Sequence, residues 1–370
     1  MYCPVSWKLR GCRGAGFTGS RNCGISIASG TLSGWRPGTR PTGNSSRPPR
    51  SAAMAEPDRT RDPAEFHRSF LGPRYWGTWL LLGALRILGH LPRRWLMGLG
   101  ALVGDLFRHG NKKRRLIAAV NLALCFPELS AAERQRLLKA HFRAHGRGIV
   151  DMGVTLWCSR RRLLELVDLE GFEEHRDRVA SGKVLAVTWH LTTLEITGLL
   201  MTLAGPSVSM MKPLDNDLLT WAVARGRCRL SDLDLIVRDA GMRPLLKGLQ
   251  DGRQCILVPD EDFGGRGAEV AYVPFFGVSR AMVTTPGRIA RASGATVTVC
   301  ATRLDPGTGR YVCTFGPPLD GVLGDDPQAD AAAICEAMES LIRRAPEQYL
   351  WTFRWFQSRP DGGDSPYGSV

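Results

Sequence analysis

The chain has 370 residues, of which 44% are hydrophobic and 23% charged, a balance that is typical of globular proteins and excludes a disordered chain. Its formal net charge is +14, but residues 1–53 hold eight Lys or Arg and no acid, which leaves only +6 for the rest. A body this mildly basic, without repeats that interleave basic and aromatic residues, argues against nucleic-acid binding.

The first 53 residues are rich in Gly, Ser, Arg and Pro and show no sustained apolar period. We therefore predict a disordered leader over 1–53. This composition mimics a transit peptide, and it equally resembles translated sequence upstream of a later start. Met54, directly before AEPDRTRDPAEF, is the favoured initiator. Residues 1–53 are therefore expected to be dispensable.

Residues 75–91, YWGTWLLLGALRILGHL, carry a single charge, Arg86, and a basic run that ends in KKRR at 112–115 follows. The stretch is borderline for a membrane-spanning helix, which needs about 20 apolar residues. If it spans, the basic excess after it places the catalytic body in the cytoplasm. If it does not, it forms an apolar helix that dips into anionic lipid, or an ordinary buried helix. We predict a membrane-anchoring helix and basic run over 70–115.

The stretch 183–197 is the strongest candidate for chemistry. Val184–Val187 is short, apolar and partly β-branched, which predicts a buried strand, and a helix is predicted from 192 onward. His190 lies between them, where ligands bind in open α/β sheets. A histidine can take a proton from a hydroxyl near neutral pH. Glu195 either orients that histidine or completes a T-x-x-E capping box with Thr192.

Strands and helices alternate along the rest of the chain. Further strands are predicted over 208–211, 235–237, 255–258, 296–301 and 311–315. Helices are predicted over 131–157, 241–250, 285–291 and 328–344. This alternation predicts an α/β fold, with a mixed central sheet flanked by helices and the N-terminal membrane-anchoring helix ahead of it. The catalytic domain is predicted over 116–360, followed by a flexible tail over 361–370.

Seven of the ten cysteines follow residue 53, show no C-x-x-C pairing and lie mostly among apolar residues. Free thiols that serve as small hydrophobic side chains have this pattern. We predict a reducing compartment and no zinc site. A cysteine nucleophile is the alternative, but no histidine lies at a suggestive spacing from any of the seven.

Six stretches together resemble the Gram-negative lipid A late acyltransferases, the lauroyl and myristoyl acyltransferase family. HLTTLE at 190–195 resembles the H-x-x-x-x-E/D block of lipid acyltransferases. The other stretches are NLALCFPELS at 121–130, MKPLDNDLLTWAVARGRCR at 211–229, VPDEDFGGR at 258–266, YVPFFGV at 272–278 and APEQYLWTFRWFQSRP at 345–360. Their common order along most of the chain is more specific than any single block.

The resemblance implies roles for further residues. Arg227 matches an arginine of the family motif and would bind a phosphate or stabilise a developing oxyanion. Asp260 matches a family aspartate and would position Arg227 or His190; the acids beside it could suggest a metal, but no histidine or cysteine spacing supports a metal site. Three weaker matches would contribute to acceptor binding: Lys212, Asn216 and Arg266.

The resemblance implies an acyltransferase that moves a fatty acyl group from acyl carrier protein to a hydroxyl of a 3-hydroxyacyl chain on a lipid A precursor. It would act at the cell inner membrane, with its catalytic domain on the cytoplasmic side. His190 would be the general base and Glu195 would orient it. No cofactor is expected, because the thioester donor is already activated, and the acidic carrier would be attracted to a basic face.

Two alternatives stay open on the sequence alone. The first is an acyltransferase for another lipid acceptor, such as a glycerophospholipid or a phosphatidylinositol mannoside. The second is a non-catalytic basic adaptor for a membrane or a nucleic acid, which would tolerate the loss of His190.

Overall fold

A computed structural model describes residues 63–262, 269–319 and 326–368. The predicted leader over 1–53, Met54 and Arg266 lie outside the described residues. The helices are α1 (Trp76–Leu88), α2 (Arg93–Gly110), α3 (Lys112–Cys125), α4 (Ala131–Trp157), α5 (Arg160–Glu165), α6 (Phe172–Ser181), α7 (Leu194–Met201), α8 (Asp217–Cys228), α9 (Arg243–Gln250), α10 (Thr285–Ser293) and α11 (Pro327–Ile342). The strands are β1 (Val167–Glu170), β2 (Val184–Val187), β3 (Ser207–Met211), β4 (Leu233–Val237), β5 (Gln254–Leu257), β6 (Val270–Phe275), β7 (Val278–Val283), β8 (Thr296–Leu304) and β9 (Tyr311–Pro318). Short 3-10 helices lie at Arg68–Leu71, Pro73–Tyr75, Thr202–Ala204, Arg238–Ala240 and Pro346–Gln348.

The central sheet has seven strands in the order β1-β9-β8-β2-β5-β3-β4. Neighbouring strands are parallel except for β8 and β9, which are antiparallel. Strands β6 and β7 form a separate antiparallel hairpin. The predicted mixed central sheet flanked by helices is therefore confirmed.

Strand β2 lies in the middle of the sheet and is buried on both faces. Its side chains alternate: Val184 and Ala186 join one apolar cluster, and Leu185 and Val187 join another. Helices α6 and α7 contribute to the first cluster, whereas α9, α10 and α11 contribute to the second. A strand with helices on both faces is apolar at every position because both faces are buried, which explains the sequence VLAV.

All six strands expected from the sequence are present, with ends that shift by a few residues. The sequence patterns did not indicate β1, the β6–β7 hairpin or α8. The hairpin is hard to recognise because Pro274 lies inside β6, and proline normally argues against a strand. Its two-residue turn needs positive φ at both positions, and Phe276 (φ 50°) and Gly277 (φ 76°) provide it.

The stretch 75–91 does not form a spanning helix, the first of its expected forms. Helix α1 has 13 residues, and the chain turns before α2 begins at Arg93. Within the residues that the structure describes, no helix combines the length and apolar character needed to cross a bilayer. The alternative of an ordinary buried helix is also wrong, because α1 buries only Leu82 and Leu85 while Leu80 is 76% exposed.

Helix α4 crosses α2 at a close contact made of glycines. A β-carbon on Gly146 would lie 2.2 Å from the carbonyl oxygen of Gly100 and 2.3 Å from the amide nitrogen of Gly104. A β-carbon on Gly148 would lie 2.2 Å from the carbonyl oxygen of Thr192. Helix α4 thus touches α2 on one side and the loop after His190 on the other, and only glycine permits both approaches.

The chain after α11 returns to the core. Trp351 and Trp355 are fully buried in it. The tail expected over 361–370 includes one buried side chain, Tyr367, whose hydroxyl donates to Oδ1 of Asn121 (2.6 Å) and accepts from the amide of Phe356 (3.0 Å). The carboxyl-terminal segment is therefore part of the packing around the site described next.

Candidate active site

The sheet brings His190 and Asp260 together. Strands β2 and β5 are parallel neighbours with Val187 opposite Leu257. His190 follows Val187 by three residues, and Asp260 follows Leu257 by three residues. Because parallel strands end at the same edge of a sheet, the two loops leave it side by side.

Asp260 holds His190 through two hydrogen bonds. The imidazole Nδ1 lies 2.7 Å from Oδ1 of Asp260, and the His190 backbone amide donates to Oδ2 at 3.0 Å. Asp260 is fully buried, whereas the His190 side chain is 20% exposed. A neutral imidazole that donates from Nδ1 keeps its lone pair on Nε2, so Nε2 is the basic atom of this pair.

The charges of the pair follow from its surroundings. Burial lowers the pKa of His190, but the Asp260 carboxylate outweighs burial and raises the pKa above the usual 6.5. Burial in turn raises the pKa of Asp260, but His190 and Arg280 outweigh burial and lower it. The carboxylate therefore stays ionised and stabilises the imidazolium that forms when His190 takes a proton.

Aromatic rings from the carboxyl-terminal segment fix the imidazole. The ring centroids of Phe353 and Trp355 lie 5.1 Å and 5.9 Å from that of His190. The amide of Leu350 donates to the carbonyl oxygen of His190 at 2.9 Å. These contacts restrict the ring and the backbone of His190 together.

Glu195 is bonded to Arg227 rather than to His190. The Arg227 guanidinium donates from Nε to Oε2 (2.9 Å) and from Nη2 to Oε1 (2.6 Å), a bidentate pair. Burial raises the pKa of Glu195, but Arg227 outweighs it, so the net pKa is lowered. The capping-box alternative is wrong, since α7 begins at Leu194 and its N-cap, Thr193, makes no side-chain cap bond. The structure thus places Asp260, not Glu195, against the imidazole.

The residues expected to bind the acceptor have different surroundings. Lys212 is exposed and directly follows β3, at the same edge of the sheet as His190. Asn216 caps α8 by accepting from the amide of Leu219 (3.1 Å), and its amide donates to the hydroxyl of Thr78 (2.9 Å). These hydrogen bonds give Asn216 a structural role in capping the helix. Arg266 lies outside the described residues.

A cavity of about 210 Å³ begins beside this site. Its apolar wall comes from α4 and from the residues after His190, with Ile149, Met152, Leu191 and Leu194 among them. Glu195, the partner of Arg227, also lines it. An apolar space that meets convergent polar groups is the usual form of a ligand site.

Two residues of the site escaped the sequence patterns. Arg280 on β7 and Tyr349 after α11 are fully buried next to Asp260, and the Tyr349 hydroxyl donates to Asp260 Oδ2 at 3.1 Å. A single charge inside the apolar run VSRAMV was a signal for Arg280, because a buried cation requires a reason. Tyr349 lies in the last stretch that resembles the acyltransferase family, but nothing local singles it out.

Across the described ranges no group of three or more His, Cys, Asp or Glu side chains could hold a metal ion. The seven cysteines after residue 53 form no disulfide with one another, and five of them are buried. Their expected use as small hydrophobic side chains is confirmed at those five positions. Burial also raises the pKa of Cys255 to about 12, which is unfavourable for a thiolate nucleophile.

Fold and site define a class of protein: an α/β protein in which a buried carboxylate is hydrogen-bonded to a histidine at the carboxyl edge of the sheet. Comparison with known proteins identifies the family. The family described as Bacterial lipid A biosynthesis acyltransferase matches residues 63–358. The chain belongs to this family, as its resemblance to the late acyltransferases predicted.

Several relatives match along most of their length. The chain is 36% identical over 307 residues to a lipid A biosynthesis palmitoleoyltransferase of Escherichia coli, which covers 82% of this chain and 98% of the relative. It is 33% identical over 305 residues to a lipid A biosynthesis lauroyltransferase of the same organism, with coverage of 82% and 98%. It is 28% identical over 305 residues to a lipid A biosynthesis myristoyltransferase, also of Escherichia coli, with coverage of 82% and 94%.

Proposed function

We propose that this protein transfers a fatty acyl group from the thioester of acyl carrier protein to a hydroxyl of a 3-hydroxyacyl chain on a lipid A precursor. The observation that carries the proposal is the His190–Asp260 pair, located in a chain of the lipid A acyltransferase family. Such a pair suits a reaction that begins by removing a proton from a hydroxyl.

The proposed reaction begins at Nε2, the basic atom of His190. Nε2 takes the proton of the acceptor hydroxyl while the oxygen attacks the thioester carbonyl carbon, forming a C–O bond and a tetrahedral oxyanion. The oxyanion collapses, the C–S bond breaks, and the leaving sulfur takes the proton back from the imidazolium. The ionised Asp260 lowers the energy of that imidazolium at a distance of 2.7 Å.

Arg227 is suited to an anion on the substrate. Its Nη1 group is not used in the pair with Glu195, and the side chain is 26% exposed. Glu195 holds the guanidinium plane through two hydrogen bonds, so the remaining donors point in a fixed direction. We assign Arg227 to a phosphate of the acceptor or to the tetrahedral oxyanion, and Glu195 to positioning Arg227.

The cavity beside Glu195 is suited to an acyl chain. Its wall is largely apolar and it starts at the residues that follow His190, so a chain in it would end close to the reacting carbonyl. Each methylene group of an acyl chain that is buried contributes about 0.8 kcal/mol to the free energy of binding. Ile149 and Met152 on α4 would then contact the chain and influence the accepted length.

We also propose that α1 and α2 lie on the surface of the inner membrane, with the catalytic domain on the cytoplasmic side. Each helix exposes a stripe of large apolar side chains at helical spacing, which we call the apolar stripes: Trp76, Leu80 and Ile87 on α1, and Trp95, Leu102 and Leu106 on α2. Helices of this kind insert one face into a lipid surface without crossing it. The KKRR run at the start of α3 would contact anionic headgroups.

The reaction is tested by mass spectrometry of lipid A from cells that lack this gene, with and without plasmid-borne protein. The wild type should restore the mass of one acyl chain per lipid A, whereas His190→Ala should not. His109→Ala is the matched control, since His109 is an exposed histidine on α2 and should restore the mass in full.

Two results would contradict the proposal. Restoration of the lipid A mass by His190→Ala would remove the histidine from the reaction. An unchanged lipid A mass, with a new acyl chain on glycerophospholipids instead, would assign a different acceptor. Purified protein supplied with either acyl carrier protein thioesters or coenzyme A thioesters would identify the donor, and we expect turnover with the carrier-protein donor.

A further inference from the structure

Arg280 is a cation buried completely beneath the His190–Asp260 pair. It lies on β7, and its guanidinium packs over the rings of Phe275 (4.8 Å) and Trp355 (5.2 Å). Nη1 donates to the hydroxyl of Tyr349 at 3.1 Å, and Nη2 donates to the backbone carbonyl oxygen of Asp260. The guanidinium therefore contacts both Asp260 and Tyr349, which in turn contacts the Asp260 carboxylate.

The hydrogen-bond partners of Arg280 are uncharged oxygens. Burial of an ion costs several kcal/mol unless an opposite charge compensates it. Arg280 is connected to the Asp260 carboxylate through Tyr349. The Tyr349 hydroxyl accepts a hydrogen bond from Arg280 and donates one to Asp260 Oδ2. Burial raises the pKa of Tyr349 well above its usual value, so this hydroxyl keeps its proton and can donate.

Asp260 is consequently held on both carboxylate oxygens. Oδ1 receives the imidazole Nδ1 of His190, and Oδ2 receives the His190 amide and the Tyr349 hydroxyl. Tyr349 is fixed in turn by a stacked contact with Trp355, with ring centroids 4.9 Å apart. The network joins four distant parts of the chain and leaves the carboxylate little freedom to rotate.

We propose that Arg280 and Tyr349 are positioning residues for the acyl transfer: they fix the Asp260 carboxylate against His190 and offset its charge, so that His190 returns to the neutral, proton-accepting form. The inference rests on the proposed function, because it assumes that His190 is the base. Neither residue would touch the substrate.

The charges explain why an offset is needed. With neutral His190, Asp260 and Arg280 cancel, and protonation of His190 leaves the group with one positive charge. Without Arg280, no buried cation would offset the charge of the Asp260 carboxylate. An uncompensated buried carboxylate stabilises the imidazolium and so keeps His190 protonated. Arg280 accordingly opposes the rise that Asp260 causes in the pKa of His190.

The other charged groups near His190 already have partners. Glu195 is paired with Arg227, and Glu261 lies 3.3 Å from Arg238. Both carboxylates favour the imidazolium, as Asp260 does. Arg280 is the cation among these groups that acts on Asp260 itself, so its removal should change the protonation of His190 more than removal of a peripheral charge.

The experiment measures kcat/KM against pH for four variants: Arg280→Met, Arg280→Lys, Tyr349→Phe and Tyr367→Phe. Arg280→Met should move the acid limb of the profile upward by about one pH unit, the size of shift that a neighbouring charge produces. Tyr349→Phe should move it upward by less, since it removes one hydrogen bond. Arg280→Lys should keep the limb near its wild-type position and lower kcat, because it keeps the charge but loses the fork-shaped donor.

Tyr367→Phe is the matched control. Tyr367 is also buried and hydrogen-bonded, but to Asn121 and Phe356, so its loss should lower stability and leave the acid limb in place. Titration of carbon-13-labelled histidine, with His190 assigned by its absence in His190→Ala, should show the same upward shifts directly. Melting temperatures report separately on packing.

The inference would be overturned if the acid limbs of Tyr349→Phe and Arg280→Met coincided with that of the wild type. Lower melting temperatures alone would then show that both residues serve only in packing. Should Arg280→Met not fold, the same comparison of Tyr349→Phe with Tyr367→Phe decides the question. Failure of the proposed function looks different, because His190→Ala would then turn over normally.

Discussion

The α1–α2 layer exposes large apolar side chains, whereas the carboxyl edge of the sheet buries charged ones. Leu80 is 76% and Trp95 is 63% exposed, while Asp260 and Arg280 are fully buried. Each arrangement is unfavourable for a protein surrounded by water alone. The difference supports both proposals made above, a membrane surface for the first region and a reaction at the second.

Replacement of His190 should give the largest effect and tests whether the buried charges serve a reaction. His190→Ala should lower turnover by about 10²–10⁴-fold, the usual contribution of a general base, with little change in melting temperature. In the wild type, kcat/KM should fall as the pH drops through the raised pKa of His190, because the imidazolium cannot accept a proton. Wild-type turnover in His190→Ala would make the buried charges purely structural.

The two carboxylates of the site should respond differently to amide substitution. Asp260→Asn should lower kcat on the order of 10²-fold or more, because an amide no longer stabilises the imidazolium or selects its tautomer. Glu195→Gln should lower stability by about 1–3 kcal/mol, between the values of exposed and buried pairs, because Arg227 loses its counter-charge. It should lower kcat by less than Asp260→Asn does, since it acts only through the position of Arg227.

Steady-state kinetics and thermal denaturation of both variants make this comparison. A rate loss in Glu195→Gln larger than the loss in Arg227→Met would show that its charge acts on His190 directly, as the resemblance to the family implied. A fully active Asp260→Asn protein would separate the observed hydrogen bond from catalysis.

A charge on the apolar stripes should weaken membrane binding while the site stays intact. Leu80→Glu and Leu102→Glu should each lower binding to vesicles with anionic lipid by about tenfold or more, since burial of one leucine contributes about 1.5–3 kcal/mol. Sedimentation with such vesicles measures the loss. Leu164→Glu on α5 is the control, an exposed leucine outside α1 and α2 that should leave binding unchanged. Equal losses in all three variants would mean that charge alone, and not the stripes, governs binding.

The smallest expected effect concerns the contact that joins the two regions. Gly146→Ala should lower the free energy of unfolding by about 1–3 kcal/mol, because its methyl group would clash with the backbone of α2. Gly98→Ala on α2 has open space around it and should be neutral or stabilise by up to about 1 kcal/mol through helix propensity. Chemical denaturation measures the free energy of unfolding of both variants. Equal values would show that α2 and α4 can move apart to accommodate the methyl group without loss of stability.

Local patterns predicted most of the central sheet. A strand such as Val184–Val187 is recognisable because a chain buried on both faces must be apolar at each position. The same patterns predicted a helix at α1 without its environment, and they missed the β6–β7 hairpin. An apolar composition does not say whether a helix faces lipid or core, and Pro274 hides a strand whose pairing depends on a turn at Phe276 and Gly277.

The sequence by itself determined that His190 lies just past the end of a buried strand, and the family resemblance singled out Asp260, Glu195 and Arg227. Only the tertiary structure decided how they pair. Asp260, and not the nearby Glu195, reaches the imidazole, because β5 lies beside β2 and ends at the same level. Arg280 and Tyr349 reach the site from outside the central sheet, on the β6–β7 hairpin and on the chain after α11. Spacing along a chain cannot encode such contacts, since they depend on which elements become neighbours in the folded sheet.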